Sequence, residues 1–239
     1  NYEITFVDGV YTIVPADTLL VKVTDASTTY GTSASYSINS ATYLDSGTAS
    51  ISDLTGSTTI NSNVVTVNDG SDNTVFTLIP LGAGTSDGGY SEVGAYQIGS
   101  TGITSGGTNF EGLTITGAHT ISRKGIAVDA NGVSKVYDGS ASMSDLSFDL
   151  DGDLSGDALG VTGIGSFDNK NVGTGKTYAV SNITLTGDDA ANYYLSNGAS
   201  LSGSNGVITA KALSISGITV SDKTYDALTS STVDVTGAV

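Results

Sequence analysis

Cysteine and tryptophan are absent from the 239 residues, histidine and methionine occur once each, and proline occurs twice. Without cysteine there is no disulfide to staple a small core and no thiolate to act as nucleophile or soft metal ligand. A zinc site would need more imidazoles or any thiolate. A Ser-His-Asp arrangement needs its histidine, and His119 lies in a strand-like segment where another copy of a repeated phrase carries Tyr11, so it is read as a surface or groove filler. Basic residues are equally scarce: 8 Lys and Arg stand against 24 Asp and Glu, a net charge of −16. Such a chain repels phosphate, which argues against nucleic acid and anionic membrane as partners. No apolar run reaches the 18 residues of a membrane-spanning helix, and the first residues alternate like a strand rather than a signal peptide, so any export signal is expected outside this sequence.

What is present is a short-period pattern. Apolar residues alternate in brief runs, Tyr2-Ile4-Phe6, Leu19-Val21-Val23, Leu113-Ile115 and Ile126-Val128, each the length of one half-buried strand. Between such runs stand Asp8-Gly9, Asp69-Gly70, Asp87-Gly88, Asn131-Gly132, Asp138-Gly139, Asp151-Gly152, Asn197-Gly198 and Asn205-Gly206, pairs that tolerate the positive φ of tight hairpins. No segment sustains a 3.6-residue period behind a cap. The chain therefore reads as all-β.

One phrase recurs three times, at residues 1–32, 109–140 and 192–227. Each copy opens on an Asn-aromatic pair (Asn1-Tyr2, Asn109-Phe110, Asn192-Tyr193) and reaches a tyrosine beside Gly or Asp: Tyr30, Tyr137 and Tyr225. These tyrosines stand 107 and 88 residues apart, a domain-sized repeat. The phrase is expected to be the joint between tandem modules. The expected organisation is a closing hairpin over 1–15, a complete module over 16–122, a second over 123–210, and opening strands of a third over 211–239. The joints at Pro15, Arg123 and Lys211 lack the Gly/Ser-rich or Pro-rich composition of a free linker, so the modules are expected to form a semi-rigid, elongated rod. A second spacing, D-x-A-x-Y, occurs at Asp189–Tyr193 and, with glutamate first and Gly94 third, at Glu92–Tyr96. It matches the tyrosine corner of immunoglobulin-type sandwiches, in which a hydroxyl bonds back to upstream backbone. The expected fold is thus tandem Ig-like, or β-grasp-like, antiparallel sandwich modules.

The stretch KVYDGSAS at Lys135 to Ser142, followed by residues 152–195, resembles the YDG repeat domain of large bacterial surface proteins. The first module, with TTYGT at Thr28 to Thr32, VGAYQI at Val93 to Ile98 and Asn109-Phe110, resembles the MBG domain of the YGX type. The resemblance implies a secreted or surface-exposed, filamentous-haemagglutinin-like adhesin, with neighbouring modules of the same chain as first partners and other adhesin chains or polysaccharide as further ones.

Residue chemistry offers few competitors. Asp145, Asp149, Asp151, Asp153 and Asp157 supply hard oxygens of the kind calcium takes. However, Gly152 falls between two aspartates and Gly160 stands where an EF-hand has its bidentate glutamate, so a solvated loop is the preferred reading and no cofactor is expected. No carboxylate pair is singled out for glycoside hydrolysis. A Lys-Asn isopeptide staple would draw on few lysines, among them Lys124, Lys135 and Lys211. Tyr30, Tyr137 and Tyr225 are expected to pack in the joints, while Tyr36, Tyr43 and Tyr90 are better placed to stack on sugars. The expected function is a non-catalytic stalk segment of an extracellular adhesin; the alternative is a glycan-binding module within it.

Overall fold

The computed structural model describes residues 17–105 and 110–239. The hairpin expected over 1–15, including Tyr11, and Asn109 of the second phrase copy lie outside these residues. The described chain is all-β, with only two 3-10 turns, at Thr55–Ser57 and Ala190–Asn192. Its contacts divide it into two compact units. One comprises the described residues up to Asp129 together with Leu150–Thr162 and Ile183–Ala199; the other comprises Ala130–Asp149, Gly163–Asn182 and Ser200–Val239.

The first unit is built on β1 (Thr18–Val23), β2 (Ala26–Thr29), β3 (Ile38–Asp45), β4 (Ser50–Asp53), β5 (Thr58–Asn61), β6 (Val64–Asn68), β7 (Asn73–Leu81), β8 (Gly94–Ser105), β9 (Gly112–Thr116) and β10 (Ala118–Ser122). These form a four-stranded sheet of order β4-β3-β1-β9 and a six-stranded sheet of order β2-β10-β8-β7-β6-β5. Alternation places Leu19, Val21 and Val23 of β1 and Ala41 of β3 in one hydrophobic cluster with Val65 and Val67 of β6, Phe76 and Leu78 of β7 and Ile98 of β8. The two sheets thus share one core, as the period of two dictates when each strand has one apolar face.

The strands at the ends of this sandwich are parallel, so the sheets are mixed and not purely antiparallel. β1 runs beside β9 with Leu19 opposite Leu113, and β2 runs beside β10 with Ala26 opposite His119. Both strand pairs leave the four-stranded sheet and enter the six-stranded one at the same level. A bulge between Lys22 and Val23 turns β1 out. At the crossing Ala118 N–H donates to Asp25 Oδ1 at 2.8 Å, and Ile98 N–H donates to the Gly117 carbonyl at 2.9 Å.

The arrangement occurs again. Arg123 alone separates β10 from β11 (Lys124–Asn131), which is followed by β12 (Ser134–Val136), β13 (Ser147–Asp151), β14 (Gly160–Phe167), β15 (Gly173–Thr186), β16 (Tyr193–Leu195) and β17 (Leu201–Thr209). In the first unit β11 runs parallel to β16, with Lys124 opposite Tyr193; in the second β12 runs parallel to β17, with Lys135 opposite Ile208. An opening pair, β11 and β12, thus lies parallel to a closing pair, β16 and β17, as β1 and β2 do to β9 and β10. In its middle copy, residues 109–140, the recurring phrase is a closing pair, β9 and β10, followed directly by an opening pair, β11 and β12.

In the second unit the sheet order is β12-β17-β15-β14, and Phe167, Val180 and Ile208 are buried. Gly203 and Gly206 of β17 leave room for rings, since a Cβ there would come within 2.6 Å of Tyr178 and Phe167 respectively. Residues after Lys211 contribute one short pair, β18 (Thr219–Val220) and β19 (Val233–Asp234), and leave Leu213, Ile215 and Leu228 exposed.

Gly117 adopts φ +148°, and a Cβ on it would sit 2.7 Å from the Val23 carbonyl oxygen, at the point where both strand pairs change sheets. Gly117→Ala is expected to lower the unfolding free energy by about 2 kcal/mol in a urea melt, because backbone and not a movable side chain is in the way. An unchanged midpoint would mean that the crossing tolerates a Cβ.

Candidate functional site

The chemistry of the first unit converges on Asp157. Its Oδ2 accepts from Tyr30 Oη at 2.7 Å and from Tyr193 Oη at 2.5 Å. Its Oδ1 accepts from Ser86 Oγ at 2.9 Å and from Gly88 N–H at 3.0 Å. The four donors come from three separate parts of the sequence: Tyr30 from the end of the β1–β2 pair, Ser86 and Gly88 from the turn between β7 and β8, and Tyr193 as the first residue of β16.

Local structure makes the convergence feasible. The turn is held by Ser86 N–H to the Tyr90 carbonyl at 2.9 Å, and Gly89 adopts φ +86°. Gly88 and Gly156 permit close approach: a Cβ on Gly88 would lie 2.4 Å from Asp157 Oδ1, and one on Gly156 would lie 3.0 Å from Gly88 Cα. Tyr193 Oη also accepts from Leu154 N–H at 3.1 Å, which fixes the loop carrying Asp157. Around the carboxylate, the Tyr30 ring stands edge-on to Tyr193 at 5.2 Å and to Tyr90 at 5.9 Å. Tyr30, Ile121, Ile126 and Tyr193 form the buried cluster, with Leu150, Leu154, Leu159 and Leu185 packed against it.

Burial works to raise the Asp157 pKa, but the hydrogen bonds from Tyr193, Tyr30, Ser86 and Gly88 outweigh it and hold the carboxyl below its ordinary value. Burial, with the adjoining carboxylate, raises both Tyr30 and Tyr193. The phenols stay protonated and donate, and the carboxylate stays charged and accepts. With two donors on each oxygen, the arrangement is a fastening and not a general base.

Two further bonds flank it. Asp189 Oδ2 accepts from Ala158 N–H at 2.7 Å, and Asn192 Oδ1 accepts from Val93 N–H at 3.0 Å; both side chains are buried. The two D-x-A-x-Y spacings therefore have different outcomes. Tyr96 Oη bonds back to the Glu92 carbonyl at 3.0 Å and the Val93 carbonyl at 3.3 Å, the local corner that the spacing describes. Tyr193 reaches past its own turn to Leu154 and Asp157. Glu92 contributes its backbone carbonyl, while its carboxylate lies beside Gly84, where a Cβ would come within 2.2 Å.

The remaining aspartates of the acidic run are apart from this cluster. Asp149 accepts from Asn131 Nδ2. Asp151 and Asp153 are exposed, and no three Asp, Glu or His side chains converge among the described residues in the manner of a metal site.

The joint tyrosines occupy three environments: Tyr30 is 1% exposed, Tyr137 is half-buried and Tyr225 is 90% exposed. What Tyr137 and Tyr225 share is the loop around them. Lys135 Nζ pairs with Asp138 at 2.7 Å and donates to the Ser142 carbonyl at 2.7 Å. Lys223 Nζ pairs with Asp226 at 2.8 Å and donates to the Ser230 carbonyl at 2.6 Å. Each aspartate also accepts from the backbone N–H two residues on, Ser140 or Leu228, and both aspartates are held below their ordinary pKa, first of all by the lysine. The K-x-Y-D spacing thus encodes a lysine-pinned loop. Thr28-Thr29-Tyr30-Gly31 has neither charge, and its Thr28 Oγ1 instead lies 2.8 Å from His119 Nε2.

His119 is buried and is not a surface group. Its Nδ1 lies 2.9 Å from Tyr36 Oη, and burial lowers its pKa. Tyr36 and His119 form part of the floor of a cavity of about 310 Å³ within the first unit, whose rim carries Ser33, Gly89 and Ser91. Asn63 lines the same cavity; its Oδ1 is sealed from solvent and has no hydrogen-bond partner among the described residues.

Asp157→Asn would turn an amide N–H toward donors, one of which, the Gly88 N–H, cannot rotate away. It is expected to cost about 2 kcal/mol, more than Tyr30→Phe, which removes a single donor. Because the folded-state pKa is depressed, the contribution is fully present above the ordinary carboxylate value and is lost as the pH falls through the folded value. Denaturant melts across pH 2 to 7 should therefore show wild type and Asp157→Asn converging at the acid end. A constant gap at all pH values would contradict the assignment.

Residues 122–201 match the family model of the YDG domain. Among curated proteins and among solved structures, none matches the chain.

Proposed function

We propose that the chain is a non-catalytic structural segment of a bacterial extracellular adhesin, a stretch of stalk in which an MBG module of the YGX type precedes a YDG module. The observation that carries this reading is the joint at Arg123. A single residue separates the closing strand β10 from the opening strand β11, and the same opening and closing strand arrangement stands on both sides. A joint of one residue has little freedom to swivel, which suits Ig-like modules set in series as a semi-rigid rod. The YDG match over 122–201 supports the second module. The excess of carboxylates, net −16, would keep such arrays apart from one another and from an anionic cell surface.

Catalysis has little support. The one histidine has a hydroxyl at each ring nitrogen, and the best-connected carboxylate is filled by four donors. The partners of the stalk reading are neighbouring modules and other copies of the adhesin. Exposed apolar side chains such as Leu213, Ile215 and Leu228 offer a surface of the sort that associates.

Small-angle scattering of the chain in solution is expected to give an elongated particle with a narrow distribution of interdomain angles. A compact globule, or a broad distribution of angles, would contradict the stalk.

A further inference from the structure

We propose that the turn between β14 and β15 forms its own covalent cross-link, an amide between Lys176 Nζ and Asn169 Cγ made with release of ammonia. This goes beyond the stalk reading and does not depend on it.

The amine and the carboxamide are in contact. Lys176 Nζ donates to Asn169 Oδ1 at 2.7 Å, which holds the amine beside the carbonyl carbon it attacks. Alternation puts Lys176 on the same face of β15 as Tyr178 and Val180, and all three are buried. The amine thus reaches the turn from a stem withdrawn from water. Asp168 N–H donates to the Thr177 carbonyl at 2.9 Å and closes the neck of the turn.

One carboxylate bridges both nitrogens of the exchange. Asp168 Oδ1 lies 2.9 Å from Lys176 Nζ, and Asp168 Oδ2 accepts from Asn169 Nδ2 at 3.0 Å. The bond to Lys176 is the first cause holding the Asp168 carboxyl below its ordinary value, so the group rests as the carboxylate that a proton acceptor must be. Asn171 N–H donates to Asn169 Oδ1 at 3.0 Å, the atom on which negative charge develops during the attack.

The step needs no outside reagent. Asp168 takes a proton from the Lys176 ammonium, and the freed lone pair adds to Asn169 Cγ, moving the carbonyl electron pair onto Oδ1. Asp168 passes its proton to Nδ2 and takes one from Nζ. The Oδ1 pair then returns, the Cγ–Nδ2 bond breaks, and ammonia departs, taking the last proton from Asp168 to become ammonium.

The other ion-paired lysines lack this electrophile. Lys135 Nζ meets Asp138 and the Ser142 carbonyl, and Lys223 Nζ meets Asp226 and the Ser230 carbonyl. A carboxylate beside an amine is therefore repeated in the chain, whereas the amine, carboxylate and carboxamide together mark the β14–β15 turn.

Intact-mass spectrometry of the whole chain, incubated at neutral pH and then denatured, is expected to show a species lighter by one ammonia. Trypsin cuts after Lys170, inside the closed loop, so the linked chain should yield peptides 136–170 and 171–211 joined through Asn169 and Lys176, with no cut after Lys176. Asn169→Ser and Lys176→Met should each abolish the joined peptides, and Asp168→Ala should slow their formation by about a hundredfold or more. An unshifted wild-type mass would overturn the proposal. So would an ammonia lost without the joined peptides, as from a succinimide at Asn131 or Asn197, or linking at the wild-type rate in Asp168→Ala.

Discussion

Four donors from three stretches of sequence meet on one carboxylate. Tyr30, Ser86, Gly88 and Tyr193 are brought together by Asp157, although Tyr30 is 127 residues from it along the chain. A charged acceptor that is partly withdrawn from water is stable only when its lone pairs are filled, and it penalises any arrangement that empties them. The interaction is therefore selective as well as stabilising. It explains why Leu150–Thr162 and Ile183–Ala199 belong to the same compact unit as the sandwich formed by β1 to β10. It also explains why glycine is needed where Gly88 and Gly156 approach each other, since a side chain at either would hold the carboxylate away.

The sandwich itself depends on a different constraint. A strand pair that passes from one sheet to the other exposes backbone groups at the crossing, and these need partners. Placing a second pair beside it in parallel answers the need, and Asp25 and Gly117 complete the crossing of β1–β2 with β9–β10. Because the closing pair β9–β10 runs almost directly into the opening pair β11–β12, the middle copy of the repeated phrase is one physical object: two strand pairs with Arg123 between them.

The strands were legible because their pattern is local. Leu19, Val21 and Val23 alternate and are buried, as are Ile126 and Val128. Pairs such as Asp69-Gly70, Asp138-Gly139 and Asn197-Gly198 mark turns for the same reason, since the required backbone conformation is a property of the residues themselves; Asn205-Gly206 does not, and lies within β17, where Gly206 makes room for the Phe167 ring. The parallel pairings were not legible, because alternation says which face a residue takes and nothing about which strand lies alongside. Tyr96 obeys its spacing because its bond is to a carbonyl four residues upstream, whereas Tyr193 takes a longer-range partner in preference to the local corner. Asp157 stands in an acidic run whose other members do not share its surroundings, since its partners come from elsewhere in the chain. The lysine-pinned loops at Tyr137 and Tyr225 were within reach, as Lys135 and Asp138 have the same spacing as Lys223 and Asp226. The tyrosine is the more conspicuous repeat, but the charged pair beside it is what the two loops have in common.

Native-state amide hydrogen exchange on the intact chain tests most directly whether Asp157 fastens the loop around it to the sandwich. The N–H groups of Leu154, Ala158 and Val93, each held by a side chain of this cluster, should open with one common free energy, and Asp157→Asn should lower all three together. If Leu154 and Ala158 exchange independently of Val93, or if Asp157→Asn leaves Val93 unchanged, the carboxylate is a local loop contact and does not fasten the loop to the sandwich.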